Sequence, residues 1–193
     1  TLPFHDDFES GMGNWLPASW ASSPVSPHSG LASARSTPQG MMLGGTEHNM
    51  ELAGELDLSA AVDPQLTYWL RGSIAYRGGF NVQVSTNGGV TWANLPNVGL
   101  GQYWSQGWTR FQAPLGDYLQ SGVRIRFRMH HGSSSGPTDL FIDDVSIEEM
   151  PQPVNLIAPT PHLKAVDLSW TQSTLPDFGH YEVYRSTEAN VTT

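Results

Sequence analysis

The chain has 193 residues, no cysteine and a formal net charge of −9, with 18 acidic residues against nine lysines and arginines. An acidic surface repels a phosphate backbone, so the charge argues against a nucleic-acid ligand. The missing cysteines exclude disulfides, thiolate metal sites and a cysteine nucleophile. No apolar run reaches the ~20 residues of a membrane helix, so no membrane insertion is expected.

The first 150 residues consist of short runs in which apolar and polar residues alternate. "QLTYWLRG" places Leu66, Tyr68 and Leu70 on one face, and "FNVQVST" follows with the same period. "VRIRFRMH" is the clearest run, because its four apolar residues alternate with Arg124, Arg126, Arg128 and His130. "DLFIDDVSIE" supplies a late strand, and turn signals separate the runs. Strands without helical crossovers predict an antiparallel sandwich or barrel.

The segment "VSTNGGVTW" resembles the Asp-box hairpin that sialidase-type propellers carry once per blade. Its pattern residues are Ser85, Asn87, Gly89, Thr91 and Trp92. A propeller needs the motif several times, and this chain contains it once, with no repeat of 40–50 residues. The segment therefore predicts a hairpin that turns the chain, with no role in catalysis.

A boundary is expected after "EEMPQP", which gives two domains, 1–150 and 151–193. The second segment resembles the opening of a fibronectin type III domain, in which Trp170, Tyr181 and Tyr184 would fill the core. About forty residues supply three of seven strands, so this module is expected to be truncated. Three strands do not offset the entropy of ordering. If the tail is ordered, it is expected to borrow partner strands from elsewhere.

Three segments in order give the first domain a further resemblance: "DDFESGMGNW", "HSGLASARS" and "DLFIDDVSIEE". They resemble the bacterial jelly-roll modules related to MAM domains, cleaved-adhesin domains and carbohydrate-binding modules. The fold class implied is all-β, an antiparallel β-sandwich (jelly roll) followed by a partial Ig-like, fibronectin type III sandwich. The resemblance covers nearly all of residues 4–149.

Acidic residues concentrate near the start of the chain and in the last strand of the first domain. Because first and last strands are neighbours in an antiparallel jelly roll, these acids are expected to converge. Close carboxylates repel one another unless a cation neutralises them, and calcium suits such irregular oxygen ligands. The resemblance implies a structural calcium held by Glu9 and Asp144, with Asp7 and Asp143 in reserve and the 26–29 backbone contributing. The alternative is a pair of solvated or arginine-bridged acidic strands.

The candidate ligand-binding residues are Trp69, Tyr103, Trp104 and Arg126. Aromatic platforms and forked arginine donors are what a sugar site uses. Arg124, Arg126, Arg128 and Arg71 are expected to share one sheet surface with Trp69, whereas Trp108 is expected in the core. The alternative is that these arginines pair with acids of a neighbouring strand.

No catalytic motif is present, and His130 and His131 point to opposite faces of a strand, so they cannot chelate one ion together. The sequence thus predicts a non-catalytic recognition module of a larger exported bacterial protein, such as a peptidase, glycosidase or adhesin, that is secreted or displayed at the surface. The opening "TLPFHDDFES" is expected to be a mature or trimmed start. Its expected partner is a glycan or an extracellular protein. The alternative function is an architectural spacer or a protein–protein adhesion module.

Overall fold

In the computed structural model the described residues are 2–38, 40, 42–132, 138–150, 156–161 and 166–171. The chain divides into two compact units, Thr1–Met150 and Pro151–Thr193. The strands of the described residues are, in chain order, β1 (Phe4–Asp6), β2 (Trp15–Leu16), β3 (Ala21–Ser23), β4 (Ser33–Arg35), β5 (Glu47–Leu52), β6 (Pro64–Ile74), β7 (Gly78–Ser85), β8 (Ala93–Asn94), β9 (Tyr103–Pro114), β10 (Arg124–His131), β11 (Asp139–Glu149), β12 (Leu156–Pro161) and β13 (Val166–Trp170). One 3-10 turn, Gly116–Tyr118, precedes β10.

The strands of the first unit form two antiparallel sheets. The six-stranded sheet has the order β3-β4-β11-β6-β9, and β1 also pairs with β11. The five-stranded sheet has the order β2-β5-β10-β7-β8. The predicted antiparallel β-sandwich is confirmed.

The alternating pattern decides which side chains fill the space between the two sheets. Tyr68 from β6 and Phe127 from β10 are both fully buried, and their ring centroids lie 5.1 Å apart. Trp15 packs 5.6 Å from Phe127, and Phe111 stacks 5.5 Å from Tyr68. Burying each such ring contributes roughly 2–3 kcal/mol of transfer free energy. The outward side chains of both sheets are therefore the ones available for function.

The first and last strands of the unit are neighbours, as predicted. β1 pairs with β11 in antiparallel register, with Phe4 opposite Ile147 and Asp6 opposite Val145. This pairing places the acidic start of the chain beside the acidic turn of β11.

The "VSTNGGVTW" segment is a closed hairpin after β7. Ser85 Oγ accepts a hydrogen bond from the Gly89 N–H (2.9 Å), and Asn87 Oδ1 accepts one from the Thr91 N–H (2.9 Å). The Trp92 indole N–H donates to the Gly89 carbonyl oxygen at 3.0 Å. Gly88 and Gly89 have φ values of 72° and 89°, a conformation that glycine adopts without steric cost. The motif's polar groups serve the turn itself, which confirms the structural interpretation.

The second unit contains β12 and β13, which pair antiparallel with Leu156 opposite Trp170. Ile157, Val166 and Leu168 are 52%, 56% and 44% exposed, and Trp170 is half-buried. Tyr181 and Tyr184 lie outside the described residues. The fibronectin type III assignment and the expectation of borrowed strands stay predictions.

Candidate functional site

The structure distributes the four predicted ligand-binding residues over both sheets. Trp69 lies on the outer face of β6, Tyr103 and Trp104 lie at the start of β9, and Arg126 lies on β10 of the five-stranded sheet. The expectation that Arg126 and its neighbours share a surface with Trp69 and Arg71 is wrong. β6 and β10 show the same alternation of apolar and polar residues in sequence. Only the strand pairing shows that their polar sides belong to different sheets.

The outer face of β6 and β9 carries two tryptophans and two arginines in alternation. Trp69 lies opposite Arg110 in the strand register, and the Arg71 guanidinium lies over the Trp108 ring, 5.8 Å from its centroid. We call these four residues the Trp/Arg face. The expectation that Trp108 belongs to the core is wrong, because Phe111 faces inward against Tyr68 and strand alternation turns Trp108 outward.

His28, in the loop before β4, joins the two tryptophans. Its ring stacks on Trp69 at a centroid distance of 3.9 Å and meets Trp108 edge-on at 5.6 Å. Its Nδ1 lies 2.5 Å from Asp144 Oδ2, so the carboxylate fixes the ring orientation. One face of Trp69 is thus covered by protein, and the arrangement holds the indole in place.

A cleft opens beside Trp69 with a volume of about 450 Å³. Its lining combines one indole, one guanidinium, carboxylates, hydroxyls and a side-chain amide; the residues are His5, Asp6, Asp7, Ser10, Asn14, Thr67, Trp69, Arg110, Asp144, Val145 and Ser146. A planar aromatic surface surrounded by donors and acceptors suits a polyhydroxylated ligand.

Tyr103 and Trp104 line a second cavity, of about 490 Å³, together with Ser73, Ile74, Ala75 and Gln102. Trp104 is 71% exposed, whereas Tyr103 is half-buried and packs against the core. The cavity provides few polar side chains, so it lacks the hydrogen-bonding groups of the Trp69 cleft.

The outer face of the five-stranded sheet is largely occupied by its own ion pairs. Arg124 pairs with Glu51 at 2.7 Å, and Arg128 pairs with Glu47. Arg126 donates to Gln83 Oε1 at 2.7 Å and lies 4.2 Å from the Trp92 ring centroid. Burial is the main cause that lowers the pKa of Arg126 from its usual value. The expected pairing of these arginines with a neighbouring strand is therefore confirmed for Arg124 and Arg128.

The acids of β11 and Glu9 contact one short loop, residues 28–32. Asp143 Oδ2 accepts hydrogen bonds from the N–H groups of His28 (2.7 Å) and Ser29 (3.3 Å). Asp144 Oδ1 accepts from the Ser29 hydroxyl at 2.7 Å. Asp143 is fully buried, and this burial raises the pKa of its carboxyl to about 6.

Glu9 contacts the same loop further along the chain. Its Oε1 accepts the N–H groups of Leu31 (2.7 Å) and Ala32 (2.8 Å). Gly30 has a φ of 56°, and a side-chain carbon there would overlap the Glu9 carboxylate. Asp7, the remaining predicted ligand, accepts the N–H of Glu9 at 3.1 Å and lines the cleft.

Glu9 and Asp144 bring carboxylate oxygens, the type of ligand that calcium prefers, to one loop. Glu9 Oε2 makes no hydrogen bond with any described residue, so one oxygen is available. The loop directs backbone N–H groups toward Asp143 and Glu9. The two Asp144 oxygens are also in contact with the loop, Oδ2 with His28 Nδ1 and Oδ1 with the Ser29 hydroxyl. Within the described residues, no three histidine, aspartate or glutamate side chains converge as a metal site would require.

Sequence reasoning missed His28, Arg110 and Asn14. Each is a single polar residue in a loop or at a strand edge, and no local pattern distinguishes it. Arg110 carried a usable signal, because alternation from Phe111 turns its side chain outward. His28 reaches the site through Asp144, which is distant in sequence, and Asn14 reaches it through a hydrogen bond to Asp6 across the turn after β1.

No protein-family model and no curated protein matches the chain. Solved structures with the same fold include the K1 cleaved adhesin domain of Lys-gingipain from Porphyromonas gingivalis W83. Its TM-score is 0.55 at 15% identity, over 78% of this chain and 99% of that one. The CBM22-1 xylan-binding domain of Paenibacillus barcinonensis Xyn10C has a TM-score of 0.51 at 15% identity, over 75% and 92%.

A third similar structure is TmCBM61, solved with β-1,4-galactotriose, with a TM-score of 0.51 at 15% identity over 75% of this chain and 94% of that one. The first unit therefore has the jelly-roll β-sandwich fold of carbohydrate-binding modules and cleaved adhesin domains, as the resemblance predicted. Among the described residues, no helix is long and apolar enough to cross a membrane.

Proposed function

We propose that this chain is a non-catalytic recognition module that binds a glycan in the cleft beside Trp69. The observation that carries the proposal is the cleft itself. An indole held rigidly by His28 is surrounded there by Arg110, Asn14 and Asp7. A rigid aromatic surface loses little entropy on binding, and the polar groups match ring hydroxyls.

The fold supports this proposal, since it is shared with a xylan-binding domain and a module solved with a galactotriose. We place the module in a larger exported bacterial protein, secreted or at the cell surface, where polymeric glycans are met. A spacer or a protein-adhesion module is expected to present a flat surface, and the aromatic cleft favours a sugar over both.

The other predicted ligand-binding residues, Tyr103, Trp104 and Arg126, differ in the part that we propose for them in glycan binding. Trp104 offers an exposed ring on the same sheet as Trp69, so it suits a longer glycan. Arg126 is held by Gln83 and Trp92 on the other sheet. Any part that it plays in binding is separate from the Trp69 cleft.

A structural calcium is proposed at Glu9 and Asp144, with Asp143 and Asp7 as further oxygen ligands. The support is that Glu9, Asp143 and Asp144 each accept a hydrogen bond from residues 28–32, so one loop contacts all three acids. A bound ion would neutralise these charges and tie the loop to β11.

The test of glycan binding is affinity electrophoresis through gels containing single polysaccharides, with xylan and galactan first. Trp69→Ala is expected to weaken binding by about 2 kcal/mol, or roughly thirtyfold, as loss of a central aromatic contact does. Tyr76→Ala is the matched control, because Tyr76 is an exposed aromatic residue outside the cleft.

Trp69 packs on His28, so its removal also tests folding. Trp69→Phe keeps an aromatic ring and is expected to retain part of the affinity, while melting curves show whether each variant is folded. If the wild-type protein is not retarded by any polysaccharide, with or without calcium, the module does not recognise glycans, and the alternative of a spacer or a protein–protein adhesion module stands.

A further inference from the structure

The Trp/Arg face carries positive charge in a protein that is acidic overall. The formal net charge is −9, yet Arg71 and Arg110 lie side by side with Trp69 and Trp108 on β6 and β9. Among the described strands, β9 is at the edge of its sheet, so none of them pairs with its outer side.

These two arginines, like Arg77 and Arg126, have no acidic partner among the described residues, whereas three other arginines do. Arg35 pairs with Asp139, Arg124 with Glu51 and Arg128 with Glu47. Within the described residues, Arg71 and Arg110 form no ion pair, and the buried Arg71 Nε has no hydrogen-bond partner. In a chain with twice as many acids as bases, the guanidinium groups of Arg71 and Arg110 on one sheet face are thus left for an external anion.

The geometry of a guanidinium decides which anion it takes. Its planar fork of N–H donors matches carboxylate and sulfate oxygens, often through two parallel hydrogen bonds. The Arg71 guanidinium already lies over the Trp108 ring and, at 5.7 Å, over the Phe141 ring, and these contacts restrict its motion. Less side-chain entropy is lost when such a group binds.

The acidic residues of the cleft lie on the β11 side of Trp69, whereas Arg110 lies on its β9 side. Asp143 is opposite Trp69 on β11, whereas Arg110 is opposite Trp69 on β9. Asp6, Asp7 and Asp144 line the cleft toward β1 and β11. An anionic group is therefore repelled from the β11 side and attracted to the β9 side, which fixes how a charged glycan lies.

We infer that the glycan bound at this face is acidic, with a carboxylate or sulfate group held by Arg110 and Arg71 and sugar rings lying on the Trp69 and Trp108 indoles. This inference rests on the proposed function, since it specifies the class of glycan that the same site takes. Uronate and sulfated sugars share the required anion chemistry, and the experiment separates them.

The experiment compares polygalacturonate and a sulfated galactan with neutral galactan and xylan by affinity electrophoresis and isothermal titration calorimetry. The acidic polymers are expected to bind tenfold or more tightly at low salt, and the preference is expected to fall as salt screens the charges. A preference for one acidic polymer identifies the anion as carboxylate or sulfate.

Arg110→Gln and Arg71→Gln are each expected to weaken binding of the acidic polymer by tenfold or more, as loss of a charged hydrogen bond does. Their affinity for any neutral glycan should change less than threefold. Arg77→Gln is the matched control, because it removes the same charge from an exposed turn outside the Trp/Arg face. The Arg77 guanidinium lies over the ring of Tyr76.

Two outcomes would overturn the inference, and they differ from failure of the proposed function. If neutral glycans bind as tightly as acidic ones and Trp69→Ala abolishes both, the site recognises sugars without using their charge. If all three arginine variants lose affinity equally, the effect is that of net charge. Absence of binding to every polymer would instead remove the proposed function, and the inference with it.

Discussion

Asp6 illustrates how one carboxylate of an acidic cluster acquires a structural role. It ends β1, is 8% exposed and accepts hydrogen bonds from the Phe8 N–H (2.8 Å) and the Trp15 indole N–H (2.7 Å). The side-chain amide of Asn14 donates a third hydrogen bond to this carboxylate, at 3.1 Å. The carboxylate therefore satisfies a buried indole and bends the chain so that Phe8, at a φ of 58°, enters the core.

We expect Asp6→Ala to lower the free energy of unfolding by about 3 kcal/mol. The substitution leaves the buried Trp15 N–H without an acceptor, and hydrogen bonds to a charged group are worth about 1.5–3 kcal/mol. Urea denaturation followed by tryptophan fluorescence measures the change.

Asp117→Ala is the control for the lost charge, since Asp117 lies in the exposed 3-10 turn. It is expected to shift the free energy by less than about 0.5 kcal/mol. Equal effects of the two substitutions would show that net charge, and not the Trp15 hydrogen bond, sets the stability.

At the scale of strands, the irregular pairing of β6 and β9 shapes the candidate site. The register shifts between Leu70 and Gly72, where β9 carries extra residues before Thr109. Gly72 has a φ of 121°, and a side-chain carbon there would overlap the carbonyl oxygen of Asp139. The bulge brings Trp108 beside Arg71, so the Trp/Arg face depends on this glycine.

We expect Gly72→Ala to destabilise the fold by about 2 kcal/mol or more, because it adds both backbone strain and a clash with β11. Thermal unfolding monitored by circular dichroism provides the measurement. Gly54→Ala is the matched control, since nothing lies near its added carbon and its backbone conformation is ordinary. A melting temperature for Gly72→Ala equal to that of the control would contradict the role of the bulge.

For the whole molecule, calcium binding would appear as a gain in stability. An ion that binds only the native state adds RT ln(1 + [L]/Kd), about 2.7 kcal/mol at a hundredfold excess over Kd. We therefore expect the melting temperature to rise by several degrees in millimolar calcium and to fall after chelation.

Asp144→Asn is expected to abolish the calcium-dependent rise. Asparagine tolerates the positive φ of 45° at this position, so the backbone is preserved while the charge is lost. Asp117→Ala should keep the full response. A wild-type melting curve that is the same with calcium and with chelator rules the ion out.

The fold was largely predictable, because strand alternation is a local signal. "VRIRFRMH" forms β10 with Ile125, Phe127 and Met129 fully buried, as its period of two requires. The site was predictable only in part. Trp69 and Trp104 lie on the same sheet, but Arg126 is separate from them because strand pairing is set by packing across the whole domain.

The sequence by itself determined the all-β class, the inward and outward sides of the long strands and the turn at Asn87, because the period of two and turn chemistry act locally. It also determined the pairing of β1 with β11, because that pairing follows from the order of strands in a jelly roll. Tertiary structure alone decided that Arg110 and Arg71 join Trp69 and Trp108, and that His28 fixes the two indoles. Those contacts depend on register, on the bulge at Gly72 and on a loop more than a hundred residues from Asp144 in sequence. Such long-range pairings carry no local pattern, because the free energy that selects them is shared by every residue in the core.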